Sequence, residues 1–182
     1  MTHSNEKFGI VFNARNLERI AGFKVKLTTN LADHLLLRAE VKTVTVFHHA
    51  TFLRRQQNYN SIFSPDFVDE TLQTLALLFP AGDRDVEKWY RQLGEADELD
   101  LRVFKCGTAD RRIGRYSFWH DRLMGLKDAF DEARPSTIAQ WWNDRRDGVQ
   151  WYTLWLAMGF TVFFGLVQSI EGAIQVYKVL QT

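Results

Sequence analysis

The chain has 182 residues and a formal net charge of +1 at pH 7. It therefore lacks the surplus of Lys and Arg that a strong electrostatic nucleic-acid binder needs, and we expect no nucleic-acid partner. Its single cysteine, Cys106, excludes an internal disulfide. The polar stretch Met1–Lys7 has no apolar core, so we expect no secretory signal peptide and synthesis in the reducing cytosol.

The first part of the chain mixes short helical and strand patterns. Residues 1–8 are polar and predict a disordered tail. Apolar spacing predicts a helix over Asn13–Ile20, and alternation predicts strands over Phe23–Leu27 and Val41–Phe47, which we expect to pair. The side chains of Thr28, Thr29 and Asn30 offer N-caps and predict a short helix over Leu31–Leu36.

The middle of the chain is predominantly helical. Ser64 followed by Pro65 is typical of a helix start, and this helix should end at Phe79, before a proline. Apolar spacing predicts further helices that begin near His48, run over Asp83–Leu93 with Gly94 as cap, and run over Phe118–Glu132. Alternation predicts a short strand over Leu99–Val103. We therefore expect residues 9–148 to form a small α+β domain, predominantly helical.

The C-terminal part is a different kind of segment. Val149–Ile170 contains no charged residue over 22 positions, against about 20 needed to cross a bilayer core. We predict a single transmembrane helix over residues 149–176 and a short tail over 177–182. Aromatic and basic residues flank it and predict contact with the membrane interface: Trp141, Trp142, Arg145, Arg146, Trp151, Tyr152, Trp155, Tyr177 and Lys178. Alternatively, Trp141 and Trp142 lie in the core of the domain.

The flanking charges predict an orientation. Arg145 and Arg146 precede the span, and only Lys178 follows it. The positive-inside rule then leaves the large N-terminal domain in the cytosol, in the manner of a tail-anchored protein. Glu171 lies near the far end, where we expect it to be solvated at the interface and not within hydrocarbon.

Small and polar residues share one side of the predicted span. A stripe of this kind is typical of a protein-facing surface, because lipid offers no hydrogen bonds. It predicts helix–helix contact, by self-association or with another membrane protein, through Thr153, Ala157, Thr161, Gly165, Gln168, Ser169 and Gly172. The alternative is a monomeric anchor in which these residues have no partner.

No recognisable catalytic, cofactor or metal motif occurs in the sequence. His48 with His49, and His120 with Asp121, lack a known ligand spacing. His34 lies in an apolar run, where a hydrogen-bonded structural histidine is expected. Cys106 follows a lysine, yet no residue is placed to make it a nucleophile, so we expect an unreactive buried thiol.

Two stretches resemble a pattern in uncharacterised proteins of filamentous fungi. The first is Thr28–Leu35 followed by Val46–His49, and the second is Gln140–Thr153 running into Phe163–Gly172. The resemblance covers most of the chain after residue 20. It implies a cytosolic domain with a C-terminal membrane span and no established activity, and it supplies no catalytic residues.

These observations favour a non-enzymatic, membrane-anchored interaction or adaptor module, with membrane lipid and a protein as its partners. One alternative is a subunit of an oligomeric membrane pore or channel, built on the polar stripe. A second alternative is a soluble protein whose C-terminal helix is a core or dimerisation element.

Overall fold

The computed structural model describes residues 6–58, 62–94, 98–133 and 148–180, and in the last range it describes the side chains of residues 152–172. The chain divides into two compact units, Met1–Asn143 and Asp144–Thr182. This division lies close to the boundary predicted at residue 148. The first unit combines helices with a small sheet, so the predicted α+β class is confirmed.

The sheet has three strands in the order β1-β3-β2. β1 (Lys24–Thr28) pairs with β3 (Thr43–Phe47), so the predicted pairing is confirmed, and the two strands run parallel. β2 (Leu36–Arg38) runs antiparallel on the other side of β3. Both β1 and β2 are therefore edge strands of this sheet.

The predicted helix over Leu31–Leu36 is wrong beyond its first turn. Asn30 caps a single 3₁₀ turn over Leu31–Asp33, and the chain then enters β2. Leu35 adopts a positive φ of 58° at the change of direction and is fully buried. A short apolar run fits a helix and a buried strand equally well, and pairing with β3 decides between them.

Side-chain caps start three of the helices, and the cap predicted at Ser64 is confirmed. Asn13 accepts from the backbone N–H of Asn16, and Ser64 accepts from that of Phe67. Asp83 caps its helix through two backbone N–H groups, although that helix ends at Tyr90, and its C-cap is Arg91 and not the predicted Gly94. The helices are α1 (Ala14–Arg19), α2 (Ala50–Asn58), α3 (Pro65–Leu78), α4 (Arg84–Tyr90), α5 (His120–Glu132) and α6 (Gly148–Leu180).

The predicted strand over Leu99–Val103 is also wrong. Residues Leu101–Lys105 form a 3₁₀ helix, because the Asp100 side chain accepts from the backbone N–H of Arg102 and starts a turn. Val103 is fully buried, whereas Leu101 keeps 37 % of its surface exposed. The alternation of leucine and valine therefore reflects burial on one side of a turn and not strand pairing.

The predicted disordered tail over residues 1–8 needs correction at its end. Lys7 forms an isolated antiparallel bridge with Arg112. Phe8 is 2 % exposed and lies 4.9 Å from the ring of Phe12 and 5.9 Å from that of Tyr116. An aromatic side chain buried in the core holds residues 6–8 against the domain, while residues 1–5 lie outside the described part.

Candidate functional site

α6 contains a segment that is long and apolar enough to cross a membrane. The segment Tyr152–Gly172 has 21 residues and a mean hydropathy of 1.6, and none of its apolar window is buried within the protein. Phe160, Phe163 and Ile170 keep 55 %, 59 % and 60 % of their surfaces exposed. An exposed apolar surface of this extent is typical of a membrane-interaction or protein-interaction site.

Only part of the predicted membrane-interface set falls on described side chains. Tyr152 is 69 % exposed and Trp155 is half-buried at the start of the apolar segment. Trp151, Tyr177 and Lys178 fall on the α6 backbone, but their side chains lie outside the described residues. The predictions for Trp141, Trp142, Arg145 and Arg146 also lie outside them.

The predicted helix–helix contact face is exposed along its described length. The Thr161 hydroxyl donates to the carbonyl of Ala157 at 2.9 Å, and the Ser169 hydroxyl donates to that of Gly165 at 2.8 Å. A Cβ placed on Gly165 or on Gly172 would meet nothing within 4 Å. The two hydroxyls are thus satisfied within α6, and the glycines leave room for close approach.

A cleft with a volume of about 710 Å³ lies beside β1 in the first unit. One wall is β1 itself, and the other comes from residues 92–94 and 98–99, which follow α4 in the chain. Two exposed lysines, Lys24 and Lys26, stand at the β1 wall. The lining residues are Lys24, Val25, Lys26, Leu27, Thr29, His48, His49, Gln92, Leu93, Gly94, Glu98 and Leu99.

His48 ties the two walls of this cleft together. Its Nδ1 lies 3.2 Å from the carbonyl oxygen of Thr28, and its Nε2 lies 3.1 Å from that of Glu98. A neutral imidazole carries one N–H and donates to one of these carbonyls at a time, whereas an imidazolium donates to both. Each ring nitrogen therefore faces a carbonyl oxygen, and in this arrangement His48 bridges the two walls of the cleft.

The ring of His49 is tilted by 35° against that of His48, with ring centroids 4.1 Å apart. Burial lowers the pKa of His49, the neighbouring His48 lowers it further, and Asp100 opposes the change. Among the described residues no group of three His, Cys, Asp or Glu side chains is arranged to hold a metal ion. His120 and Asp121, whose Nδ1 and Oδ1 atoms lie 3.3 Å apart, have no third such side chain among the described residues to complete a metal site, and the same holds for His48 and His49.

His34 is the structural histidine that the sequence predicts, and this prediction is confirmed. It is fully buried, and its ring stands edge-on to Trp119 at 4.8 Å. Burial, with the nearby Arg122 guanidinium, lowers the pKa of His34 to about 3. Arg122 donates to the carbonyls of His34 and Ala32, which fastens α5 to the chain before β2.

Two carboxylates that the sequence did not single out hold loops in place. Glu70, on α3, accepts from the backbone N–H groups of Ser117 and Trp119 at 2.8 and 2.7 Å. Asp100 accepts from the backbone N–H of Thr51 at 2.5 Å and from its hydroxyl at 3.0 Å, at the start of α2. Their partners lie 47 to 49 residues away in sequence, so no local pattern indicates them.

Cys106 is half-buried, and its thiol donates to the carbonyl of Arg102 at 3.5 Å. Burial raises its pKa to about 11, against the opposing effect of Arg54. The raised pKa agrees in direction with the unreactive thiol expected from the sequence.

No protein-family model matches the chain, and no curated protein or solved structure matches it. The resemblance to filamentous-fungal proteins therefore stays a prediction.

Proposed function

We propose that this protein is a membrane-anchored, non-enzymatic protein-interaction module. In this proposal α6 spans the membrane and the α+β unit binds a protein partner. The single observation that carries the proposal is the apolar segment Tyr152–Gly172, none of whose window is buried within the protein.

The length of the segment supports a span. Twenty-one helical residues rise by roughly 31 Å, close to the hydrocarbon thickness of about 30 Å. Lipid would cover the exposed Phe and Leu side chains, which water hydrates poorly. Because Thr161 and Ser169 donate to carbonyls of their own helix, neither hydroxyl needs a second helix in order to enter lipid.

The orientation is part of the same proposal. Arg145 and Arg146 before the span outnumber Lys178 after it, which favours a cytosolic α+β unit. A glycosylation acceptor added after Thr182 should be modified when the protein inserts into microsomes. The same acceptor placed before Met1 should stay unmodified, and the opposite pattern would contradict this orientation.

Alkaline carbonate extraction of the full chain tests the anchor. We expect the protein to remain in the membrane pellet, as integral proteins do. If it is released, and if the protein purifies without detergent as a single monodisperse species, then α6 is a core or dimerisation element of a soluble protein.

No described contact specifically favours the pore alternative. The hydroxyls of Thr161 and Ser169, two polar groups on the helix, bond to the helix backbone. Planar-bilayer recordings with crosslinking test it, and we expect no conductance. Reproducible unitary currents together with a crosslinked oligomer would replace the proposed function with that of a channel subunit.

A further inference from the structure

The outer edge of β1 presents backbone groups without a partner. Lys24 N–H donates to the carbonyl of Lys42 at 2.7 Å, so Lys24 and then Lys26 direct their backbone groups toward β3. Backbone direction alternates along a strand, and the N–H and C=O of Val25 and Leu27 therefore point away from β3. Within the described part of the chain, no hydrogen bond involves these four groups.

The residues that carry these groups line the cleft beside β1. Val25 keeps 4 % of its surface exposed, and Leu27 is half-buried. Backbone donors and acceptors in such positions are nearly always paired in folded proteins. The cleft of about 710 Å³ lies beside them and follows β1 over its length, from Lys24 to Thr29. A further strand placed there would run about 4.8 Å from β1 and would pair with all four groups.

The side chains of β1 indicate what sequence such a strand would have. Lys24 and Lys26 project on the exposed face, while Val25 and Leu27 project toward the core. A strand added beside β1 would place alternate residues on these same two faces. Acidic residues would then lie beside the two lysines, and apolar residues would lie beside Leu27 and the leucines of the opposite wall, Leu93 and Leu99. Among the described lining residues, the two lysines Lys24 and Lys26 outnumber the one acidic residue, Glu98.

We propose that the free edge of β1 binds an extended segment of a protein partner, with alternating acidic and apolar residues, by β-strand addition. This inference rests on the proposed function as an interaction module, and it names the surface that receives the partner. Main-chain hydrogen bonds to Val25 and Leu27 supply the affinity, and the two lysines select an acidic sequence.

A fluorescent peptide of alternating glutamate and valine provides the first test. The full chain in zwitterionic detergent micelles is titrated against it, with binding followed by fluorescence anisotropy. We expect saturable binding that weakens as salt rises, because two exposed lysines contribute. A scrambled peptide of the same composition, and a peptide of alternating lysine and valine, should bind at least about tenfold more weakly. Equal binding of all three peptides would overturn the proposal.

N-methylation separates strand addition from simple charge attraction. In an antiparallel arrangement the amides of the valine residues bond to β1, and in a parallel arrangement those of the glutamate residues do so. Methylating one set should therefore abolish binding, while methylating the other set should leave it. The set of amides whose methylation abolishes binding shows whether the added strand runs parallel or antiparallel to β1. If both methylated peptides bind as well as the parent, or if both lose binding equally, strand addition is wrong.

Charge-reversal variants locate the surface on the protein. Lys24→Glu with Lys26→Glu should weaken binding of the glutamate-valine peptide by at least about tenfold and should favour the lysine-valine peptide instead. The matched control is Arg38→Glu with Arg55→Glu, which makes the same charge change at exposed positions on β2 and α2. If the two double variants weaken binding equally, the interaction is non-specific. In that case the lysines only protect the edge against aggregation.

The outcome for this surface is separable from the outcome for the proposed function. Crosslinking the full chain in native membranes reports on a protein partner, and carbonate extraction reports on the anchor. One outcome is that the protein stays in the pellet and crosslinks to a partner, and that the Lys24 and Lys26 double variant still crosslinks to that partner. This result would support the proposed interaction module and would contradict the proposed β1 site. If the protein is extracted, the membrane proposal fails whatever the peptide does.

Discussion

The Nε2 atom of His34 lies 2.7 Å from the Oγ1 atom of Thr74, in a buried chain of hydrogen bonds. The backbone N–H of Phe47 donates to Nδ1 at 3.2 Å, so the ring proton resides on Nε2 and donates to Thr74. The Thr74 hydroxyl in turn donates to the carbonyl of Thr71 at 2.6 Å. His34 thereby joins β3 to α3, and its neutral form is the one these contacts require, because a proton on Nδ1 would face an N–H group.

This arrangement predicts that stability falls in mild acid. The pKa of His34 is about 3 in the folded chain, against an ordinary value of 6.5. Below pH 6.5 His34 becomes protonated in the unfolded chain but stays neutral in the folded chain. The contribution of neutral His34 to the free energy of unfolding is therefore complete above pH 6.5 and declines as the pH falls toward 3. At pH 5 the loss should be about 2 kcal/mol. Urea unfolding of the full chain in micelles, followed by tryptophan fluorescence at pH 7.5 and pH 5, measures it.

Two variants assign this loss to His34. His34→Gln should be less stable at pH 7.5 but should lose less stability than the parent between pH 6.5 and pH 5. His120→Gln is the matched control, which removes a half-buried histidine at the start of α5 and keeps His34. An unchanged slope in His34→Gln would assign the acid sensitivity to other groups.

Glu70 predicts a second stability effect. Its carboxylate accepts three hydrogen bonds from Ser117 and Trp119, and its removal leaves backbone N–H groups without acceptors. Glu70→Ala should therefore destabilise the chain by about 3 kcal/mol, and Glu70→Gln by about 1 to 2 kcal/mol. The free energy of unfolding from urea titration checks both values. Asp66→Asn, an exposed carboxylate on the same helix, should change it by less than about 0.5 kcal/mol.

Local sequence signals predict the parts of the fold that local contacts decide. Asn13, Ser64 and Asp83 cap helices whose backbone N–H groups lie two or three residues further on. β2 and the turn at Leu101–Lys105 were missed because partners distant in sequence decide them. Leu36 pairs with Thr45 across the sheet, and Asp100, which starts the turn, also binds the beginning of α2.

The same distinction applies to the candidate sites. A charge-free run of residues can be read directly from the sequence, so α6 could be predicted. The cleft beside β1 could not, because the alternating Lys24, Val25 and Lys26 pattern fits a central or an edge strand. Only the strand order shows that β1 has a free side, and that order depends on the pairing of β3 with both neighbours.

Cys106 should react slowly with alkylating reagents. Burial raises its pKa from 9.0 to about 11, which lowers the thiolate fraction at pH 8 by roughly 100-fold relative to an unperturbed thiol. Iodoacetamide labelling of the full chain in micelles, read by mass spectrometry, should proceed more slowly than labelling of the urea-unfolded chain by a similar factor. Equal rates in the two states would show that the native thiol is freely ionised.

Charged substitutions in the middle of α6 should release the protein from the membrane. Val162 and Leu166 are each 59 % exposed near the centre of the apolar segment. An arginine at the bilayer centre costs about 2.5 to 3.5 kcal/mol, so Val162→Arg with Leu166→Arg opposes insertion by roughly 5 to 7 kcal/mol. We expect this double variant to move from the carbonate-resistant pellet to the extracted fraction.

The matched control makes the same charge change elsewhere. Ile10 and Ile62 are exposed apolar residues of the α+β unit, at 87 % and 91 %. Ile10→Arg with Ile62→Arg should leave the protein in the pellet, because neither position enters lipid in the proposed orientation. If the α6 variant stays in the pellet as firmly as this control, α6 does not span the bilayer. A peripheral attachment would then have to hold the protein on the membrane.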